Sequence, residues 1–535
     1  MPSKVTRHHA TGNNATKSTR ALPSRKRPIA ANETYPTSRK RAKVSGQGVV
    51  PAIGLNNATL GNINAIPREV LTVYVFGTGE SAGDLGLGPD KKEAERPTII
   101  TRLDGRQTTT DGYRVVQLDC GGMHTIALTE DGRIVTWGGN DNGALGRDTN
   151  WDGGLRDIDA EEEMDDGDLN PLESTPTCIP DTSFPPGTKF ATVAAGDSCS
   201  FAVTTTGLVY GWGTFVVSRR VTSSFQLSSG HSANSRLWLQ DAQGKKCFLC
   251  SNSQRIEKQD KPMLMPGLRN IKTVACGANH ALALDSSGRV WSWGVNESAQ
   301  VGRRARPQNQ FMDSFYPGII DLSRHGVRYI AAGELHSFAV DNEDRAFAWG
   351  ANNFGQAGYV RNAGTGNAEL PYPMQIRPLS KQGITVLSAA SHHSTAVTAE
   401  GRFLVWGRLD GGHLGLKLAQ EQLDDPKLVR WDEYGKPRIL LQPLAVPGIG
   451  DAAHVACSTG HAVFVNREGR AFAAGYGFQY QLGNGTNEDS EIATEVKAKV
   501  LKDIKLTWCG AGGQFSMVAA PVAGGNISGS NGSAE

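Results

Sequence analysis

The chain has 535 residues, of which 39% are hydrophobic and 20% charged. This composition supplies a large core and excludes a wholly disordered protein. No run of about 18 apolar residues is present and no apolar signal segment begins the chain, so neither a membrane span nor secretion is expected. The net charge of +2 hides an asymmetry, because residues 1–50 hold 11 Lys/Arg against one acid, whereas the other residues hold 44 Lys/Arg against 52 acids.

Residues 1–64 are predicted to form a disordered basic tail, because they are rich in Ser, Thr, Pro and Lys/Arg and nearly free of aromatic residues. The tail contains two basic clusters, whose members are Arg25, Lys26 and Arg27, and Arg39, Lys40, Arg41 and Lys43. Their spacing suits a nuclear import signal, and such clusters also bind nucleic-acid phosphates. We therefore expect an import receptor and chromatin (DNA or histones) as partners; a solvated charged tail is the alternative.

A repeat dominates the chain from residue 65 to residue 520. Each unit reads Gly-x-x-His, an alternating strand, a tight turn and a second strand that ends in Trp-Gly, as in Gly121–Gly138. Repeated four-stranded units predict an all-β fold, a β-propeller. The anchor position of the repeat is occupied by His124, Cys199, His280, His336, His393, His461 and Phe515.

The two ends of the repeat complement each other. The half-unit Val73–Gly77 lacks the preceding Gly-x-x-His strand, and the half-unit Gly512–Ala519 lacks the following Trp-Gly strand. Together they make one blade that closes the ring and leaves no open edge. Six complete copies and this composite predict seven blades.

Three segments depart from the repeat. Residues 152–168 hold nine acids and one Arg, which predicts an exposed loop. Residues 216–240 are rich in Ser and Arg and show no repeat pattern, so we interpret them as an insertion of about 25 residues, either native or the product of a retained intron. Residues 521–535 are rich in Gly, Ser and Asn and are expected to be flexible.

Several apparent motifs are better explained by the fold. A binding site would not need one histidine per blade, so the repeat histidines are interpreted mainly as core residues. Gly79–Gly83 matches G-x-S-x-G but lacks the strand–elbow–helix context of hydrolases. Cys247 and Cys250 have no second pair, so no zinc site is expected. No Walker loop is present, and no cofactor or metal is predicted.

The repeats resemble those of the regulator of chromosome condensation family, chromatin-bound guanine-nucleotide exchange factors for the Ran GTPase. The resemblance covers about residues 73–520 and is clearest in Cys120–Thr125 and Asn140–Thr149, and the basic tail also fits. It implies a seven-bladed propeller, a nuclear and chromatin-associated location, and a role in nucleocytoplasmic transport and mitotic organisation. It also implies a β-wedge after the third Trp-Gly, at the position of the insertion.

The loops that lead into the Gly-x-x-His strands differ between blades in ways that packing does not require. In the family, the matching face contacts Ran through acidic and histidine side chains. Asn279 and Phe515 stand where the family pattern has Asp and His, so their roles are open. The resemblance implies as contact residues Glu80, His124, Asp197, Arg303 and His392.

Nucleotide exchange on Ran, without covalent chemistry, is therefore the first functional hypothesis. The second is a non-catalytic propeller scaffold that binds other proteins and does not affect nucleotide release. The basic tail and the residues of the second blade favour the first.

Overall fold

The computed structural model describes residues 61–79, 82–107, 111–152, 169–217, 235–237, 259–304, 314–366 and 368–522. All of them belong to one compact unit, residues 54–535. The two basic clusters of the tail, Glu80, the predicted acidic loop after Asp152, most of residues 216–240 and the C-terminal segment from residue 523 lie outside the described residues.

The strands follow the repeat. In chain order they are β1 Leu71–Thr78, β2 Glu93–Asp104, β3 Val115–Cys120, β4 His124–Thr129, β5 Ile134–Gly138, β6 Thr177–Cys178, β7 Phe190–Ala195, β8 Cys199–Thr204, β9 Val209–Gly213, β10 Phe215–Val217, β11 Ser235–Leu237, β12 Gln259–Leu264, β13 Ile271–Cys276, β14 His280–Asp285, β15 Val290–Gly294 and β16 Gly318–Ile319. The remaining strands are β17 Val327–Ala332, β18 His336–Asp341, β19 Ala346–Ala351, β20 Glu369–Gln375, β21 Ile384–Ala389, β22 His393–Thr398, β23 Phe403–Arg408, β24 Val429–Trp431, β25 Pro437–Ala445, β26 Ala452–Cys457, β27 His461–Asn466, β28 Ala471–Gly475, β29 Ser490–Glu495, β30 Trp508–Ala511 and β31 Phe515–Pro521. Two one-turn helices, α1 Pro171–Ser174 and α2 Gln420–Leu423, and short 3₁₀ turns at Asp181–Ser183 and Lys499–Leu501 lie in the connections.

These strands form seven antiparallel blades within the described residues, as predicted. Blade 1 is β30, β31, β1 and β2; blade 2 is β3–β6; blade 3 is β7, β8, β9 and β12; blade 4 is β13–β16; blade 5 is β17–β20; blade 6 is β21–β25; and blade 7 is β26–β29. The prediction of a composite closing blade is confirmed, because β31 pairs with β1 from Leu71↔Pro521 to Gly77↔Phe515. The two ends of the propeller are thereby joined by backbone hydrogen bonds, which removes the open edge.

Packing between blades depends on the repeat tryptophans. Trp212 of blade 3 is fully buried, and its Nε1–H donates to the Ala144 carbonyl of blade 2 at 2.8 Å. A Cβ on Gly146 would approach this indole nitrogen to 2.7 Å, and Gly146 also has a φ of +65°, so only glycine fits there. Trp137, Trp349 and Trp406 bond to the preceding blade in the same way.

The insertion interrupts this pattern at one interface. In blade 3 the insertion occupies the place where other blades supply the carbonyl that accepts from the next blade's tryptophan. The buried Trp293 Nε1 of blade 4 accordingly has no partner among the described residues. Directly after Trp212-Gly213 of blade 3, β10 pairs with β11 in a separate two-stranded ladder, Phe215↔Leu237 to Val217↔Ser235. The described part of this segment therefore contributes two paired strands, at the position where the family resemblance places a β-wedge.

The propeller has two kinds of edge, which we name the loop face and the turn face. The loop face contains the Gly-x-x-His loops and the loops that follow Trp-Gly. The turn face contains the tight turns between the second and third strands, such as Thr129–Gly132, where the Gly132 N–H donates to the Thr129 carbonyl. Among the described residues, hydrogen bonds to the propeller begin at Ile63, two residues before the boundary predicted at residue 65. The Ile63 N–H donates to Thr205, and the Asn64 side-chain amide donates to the carbonyls of Thr204 and Ile271 on the turn face.

Candidate functional site

The repeat histidines are core residues, as predicted for most of them. In blade 7, His461 Nε2 lies 2.8 Å from Ser516 Oγ of blade 1, and Ser516 donates its own proton to the Gln481 carbonyl at 2.8 Å. The histidine therefore holds its proton on Nε2, and burial lowers its pKa to about 4. Equivalent bonds join His124 to Ser200, His280 to Ser337 and His336 to Ser394.

Two anchors that are not histidine show how the pair is replaced. Cys199 stands opposite Ala281, and both side chains are fully buried. Phe515 stands opposite Thr125, whose buried hydroxyl has no better polar neighbour than the weakly polar Cys120 thiol. Where the histidine is absent, the opposite hydroxyl is therefore either absent (Ala281) or without a strong hydrogen-bond partner (Thr125). This is expected because a buried hydroxyl needs a partner in an interface without water.

The interface between blades 6 and 7 is different. His393 retains the anchor histidine, but Ala462 occupies the position of the serine, and neither ring nitrogen of His393 has a hydrogen-bond partner. The His413 ring stacks on it with 5.3 Å between centroids, and His413 Nδ1 donates to the Gly460 carbonyl at 3.0 Å. Tyr476 packs edge-on against His413 at 4.8 Å. An aromatic stack that reaches the loop face thus replaces the hydrogen-bond pair.

The loop face contains carboxylates at the mouth of the central channel. Asp197 is open to solvent, and a Cβ on Gly122 of the adjacent blade would overlap its carboxylate, so the side chain lies directly on that glycine. Glu334 accepts from the Ser391 hydroxyl, which lies 3.0 Å from the Thr459 hydroxyl. Desolvation by the surrounding loops raises the pKa of both carboxyls, and the negative charge of Asp197 adds to the shift of Glu334.

His392 lies in a cationic cluster farther from the channel. The His392 ring packs edge-on against the Phe354 ring, with 4.4 Å between centroids. The guanidinium groups of Arg408 and Arg438 lie 5.4 and 5.0 Å from the centre of the Phe354 ring. Arg408 also forms an ion pair with Asp410 at 2.8 Å. Desolvation and the two guanidinium groups lower the pKa of His392, so the imidazole is neutral at physiological pH.

Two of the predicted contact residues are committed to internal bonds. His124 is buried to 1% exposure and bonded to Ser200, so its side chain does not present a contact surface. Arg303 donates to the Ser292, Ser314 and Tyr316 carbonyls of its own blade. The motif resemblance implied contact roles for His124 and Arg303 because a motif identifies a position in the repeat but not whether its side chain points into the blade or toward solvent.

Repeat alignment supports a structural role for Arg303. The residue at the same repeat position in blade 2 is Arg147, which is buried and donates to the hydroxyl and carbonyl oxygens of Thr136. Burial lowers the pKa of Arg147 to about 10, which leaves the guanidinium charged at neutral pH. The predicted contact Glu80, and Ser81 of the rejected G-x-S-x-G match, lie outside the described residues.

The structure brings together Asp197, Glu334 and His392 on the loop face. The two residues that depart from the family pattern lie in different environments. Asn279 is partly exposed on that face, whereas Phe515 is buried inside blade 1. Sequence reasoning missed the Phe354 cluster, because its members come from loops far apart in the chain. It also missed the exposed aromatic residues Tyr476 and Phe478, although their position in the repeat was a usable signal.

The central channel is the other concave feature. It is a cavity of about 400 Å³ bounded by the first strand of every blade. Asp119 projects from β3 and accepts from the Ala195 N–H at 2.8 Å, and burial raises its pKa to about 7. Cys120, Cys276 and Cys457 line the same channel. Burial raises the pKa of these thiols well above the ordinary value, so they are protonated at neutral pH.

The described residues contain no cluster of three or more His, Cys, Asp or Glu side chains suited to a metal ion. Cys247 and Cys250 lie outside them. No helix in the described ranges is long and apolar enough to cross a membrane.

Comparison with known families identifies the propeller. The model of the RCC1-like domain matches residues 72–518, which is nearly all of the seven blades. The chain belongs to the RCC1-like domain family. This membership agrees with the resemblance noted in the repeats and with the observed seven-bladed closure.

Several RCC1-like relatives match over most of their length. The guanine nucleotide exchange factor SRM1 of Saccharomyces cerevisiae is 34% identical over 84% of this chain and 87% of its own. Protein pim1 of Schizosaccharomyces pombe is 31% identical over 90% and 80%, respectively.

Solved structures of the yeast protein Prp20 are similar as well. A crystal structure described with its binding properties to Gsp1p and histones superposes with a TM-score of 0.70 at 31% identity and covers 86% of this chain and 94% of its own. A crystal structure of Kap60 bound to yeast RCC1 (Prp20) gives the same TM-score at 30% identity and covers 92% and 97%.

Proposed function

We propose that this protein is a guanine-nucleotide exchange factor for the Ran GTPase and that the loop face binds the GTPase. The observation that carries the proposal is similarity over the entire propeller to a relative named as a guanine nucleotide exchange factor. The loop face supports it, because Asp197 is exposed there and Glu334 and His392 are half-buried there, so all three side chains are within reach of a partner.

Exchange needs no covalent chemistry from the propeller. If the loop face binds the nucleotide-free GTPase more tightly than the nucleotide-bound form, nucleotide binding must weaken by the same factor, because the two equilibria are linked. The carboxylates of Asp197 and Glu334 complement a basic surface on the GTPase and speed the encounter. The concentrations of GDP and GTP around the protein, and not the propeller, set the direction of exchange.

The basic tail has a separate proposed role. Prp20 is described with histones and with Kap60, and the two basic clusters of this chain offer the charges that such partners bind. We infer that the tail binds an import receptor and chromatin and so confines exchange to the nucleus. Replacing the cluster residues Arg39, Lys40, Arg41 and Lys43 by alanine should abolish nuclear accumulation and leave exchange in solution unchanged.

Release of a fluorescent GDP analogue from Ran tests the exchange function. Wild-type protein should accelerate release, and Asp197→Ala and His392→Ala should reduce the acceleration without lowering the melting temperature. Glu400→Ala is the control, because Glu400 is an exposed carboxylate on the turn face.

A wild-type protein that leaves release unchanged would support the scaffold hypothesis or a wedge obstructed by the insertion. The same assay on a chain without residues 216–240 distinguishes these, because only an obstructed wedge regains activity. Peptides from residues 216–240 in the native protein would exclude the retained intron.

A further inference from the structure

Phe478 stands out when the blades are compared at one position of the repeat. This position is the third residue after the glycine of the Trp-Gly step or its equivalent, and the residues there are exposed at Asp141, Glu297, Asn353, Asp410 and Phe478. In five other blades it is acidic or Asn: Glu80, Asp141, Glu297, Asn353 and Asp410. Blade 7 has Phe478, whose side chain is 74% exposed. The fold accepts a polar residue at this position elsewhere, so blade packing does not require a phenylalanine.

The loop that presents Phe478 is held in place on both sides. The Gly477 N–H donates to Asp489 Oδ1 at 2.9 Å, and the Gln479 N–H donates to Gln481 Oε1 at 2.8 Å. A Cβ on Gly477 would overlap the Glu488 carbonyl, so the loop closes tightly at this glycine. An aromatic side chain on a fixed loop loses little conformational freedom when a partner covers it.

Phe478 is continuous with the proposed GTPase-binding surface. Tyr476, two residues earlier, is 38% exposed and packs against His413, which in turn stacks on His393, the sequence neighbour of His392. The Tyr476 N–H donates to the Gly460 carbonyl in the Gly-x-x-His loop of the same blade. The two aromatic residues therefore extend the loop face on the side of blade 7.

We propose that Phe478, supported by Tyr476, is an apolar anchor for the GTPase on the loop face, which rests on the proposed exchange function. The segment that packs against Gly477 offers two exposed carboxylates, Glu488 and Asp489, and these complement a basic partner surface beside Phe478. Protein interfaces typically place aromatic residues at a desolvated centre and charged residues around it. The GTPase segment that covers Phe478 is therefore apolar and is flanked by basic residues.

The test compares variants of the full chain in two assays, affinity for nucleotide-free Ran and release of the fluorescent GDP analogue. Phe478→Ala should weaken affinity about tenfold, as truncation of an aromatic anchor does. Phe478→Asp, which introduces the acidic residue type found in four other blades, should weaken it at least as much, and Phe478→Tyr should stay within about twofold of wild type. The melting temperature should not change, since the side chain is mostly in solvent.

Ile492→Ala is the matched control, because Ile492 is a 53% exposed apolar residue on the outer strand β29 of the same blade and should not affect affinity. Wild-type affinity of both Phe478→Ala and Phe478→Asp overturns the anchor and leaves the exchange function intact. If wild-type protein neither binds Ran nor accelerates release, the exchange function itself is overturned. If the variants alter only self-association in sedimentation, the surface instead contacts a second copy of the chain.

Discussion

The hydrogen-bond pair between blades 7 and 1 provides a sharp test of how the ring is held together. Ser516 Oγ joins His461 Nε2 to the Gln481 carbonyl, both at 2.8 Å, and His461 and Ser516 are fully buried. In the equivalent pair between blades 5 and 6, His336 and Ser394, the Gln356 carbonyl that accepts from Ser394 also accepts from Trp406 Nε1. Blade 1 has Phe76 at that tryptophan position, and a phenylalanine offers no such donor.

Ser516→Ala should therefore be more harmful than Ser394→Ala. A buried polar group without a partner costs about 1–3 kcal/mol. The first substitution leaves two such groups, His461 Nε2 and the Gln481 carbonyl, whereas the second leaves mainly His336 Nε2. We expect a loss of about 2–4 kcal/mol for Ser516→Ala and about half of that for Ser394→Ala.

Calorimetry at pH 7.5 and one scan rate measures the difference. For a unit of this size each kcal/mol corresponds to about 1 °C in melting temperature, so Ser516→Ala should melt about 2–4 °C lower than wild type. Thr125→Val is the control, because it removes a buried hydroxyl that has no strong partner and should be neutral or stabilising. The reasoning is refuted if Thr125→Val is as harmful as Ser516→Ala, or if the two serine variants melt together.

Three further predictions concern buried charge and the channel mouth. The four histidines bonded to serine have pKa values of about 3 to 4 in the folded protein against about 6.5 unfolded, so their contribution to stability is complete above pH 6.5 and falls by about 2 kcal/mol each by pH 5. The urea midpoint should decrease on acidification, and an increase would contradict this assignment. Burial raises the pKa of Asp84 to about 7, so Asp84→Asn should stabilise the protein by about 2–4 kcal/mol at pH 8 and by less than half as much at pH 5; equal effects at both pH values would argue against a buried carboxyl. Gly122→Ala should displace the Asp197 carboxylate and slow nucleotide release several-fold, whereas Gly366→Ala, where a Cβ meets nothing within 4 Å, should have no effect; unchanged release by Gly122→Ala would show that the position of Asp197 is unimportant.

The internal repeat made the blade architecture predictable. Each unit specifies its own hairpin, and the registers from His124↔Gly138 to His461↔Gly475 repeat the same pairing. The two incomplete ends also predicted closure, because an unpaired β-strand edge is costly to leave exposed. Burial of the repeat histidines and tryptophans followed from their recurrence, since a residue needed in every blade serves what every blade shares.

The binding face was less predictable than the blades. Motif resemblance pointed to Asp197 and His392, which lie on the loop face, and also to His124 and Arg303, whose side chains are bonded inside the propeller. It also missed the packing of Arg438 on Phe354, two residues that lie 84 positions apart in the chain.

The sequence by itself determined the number of blades, their closure and the burial of the repeat histidines, because these depend on local alternation and on a period that recurs along the chain. Only the tertiary structure decided which side chains meet at the loop face. Closing the ring brings together loops from separate repeats, as with His392, Phe354 and Arg408, and the distance between them depends on how blades pack and not on their spacing in the chain. Whether a side chain that recurs in the repeats points into a blade or toward solvent depends on its neighbours in the adjacent blade, and those neighbours are set only when the propeller closes.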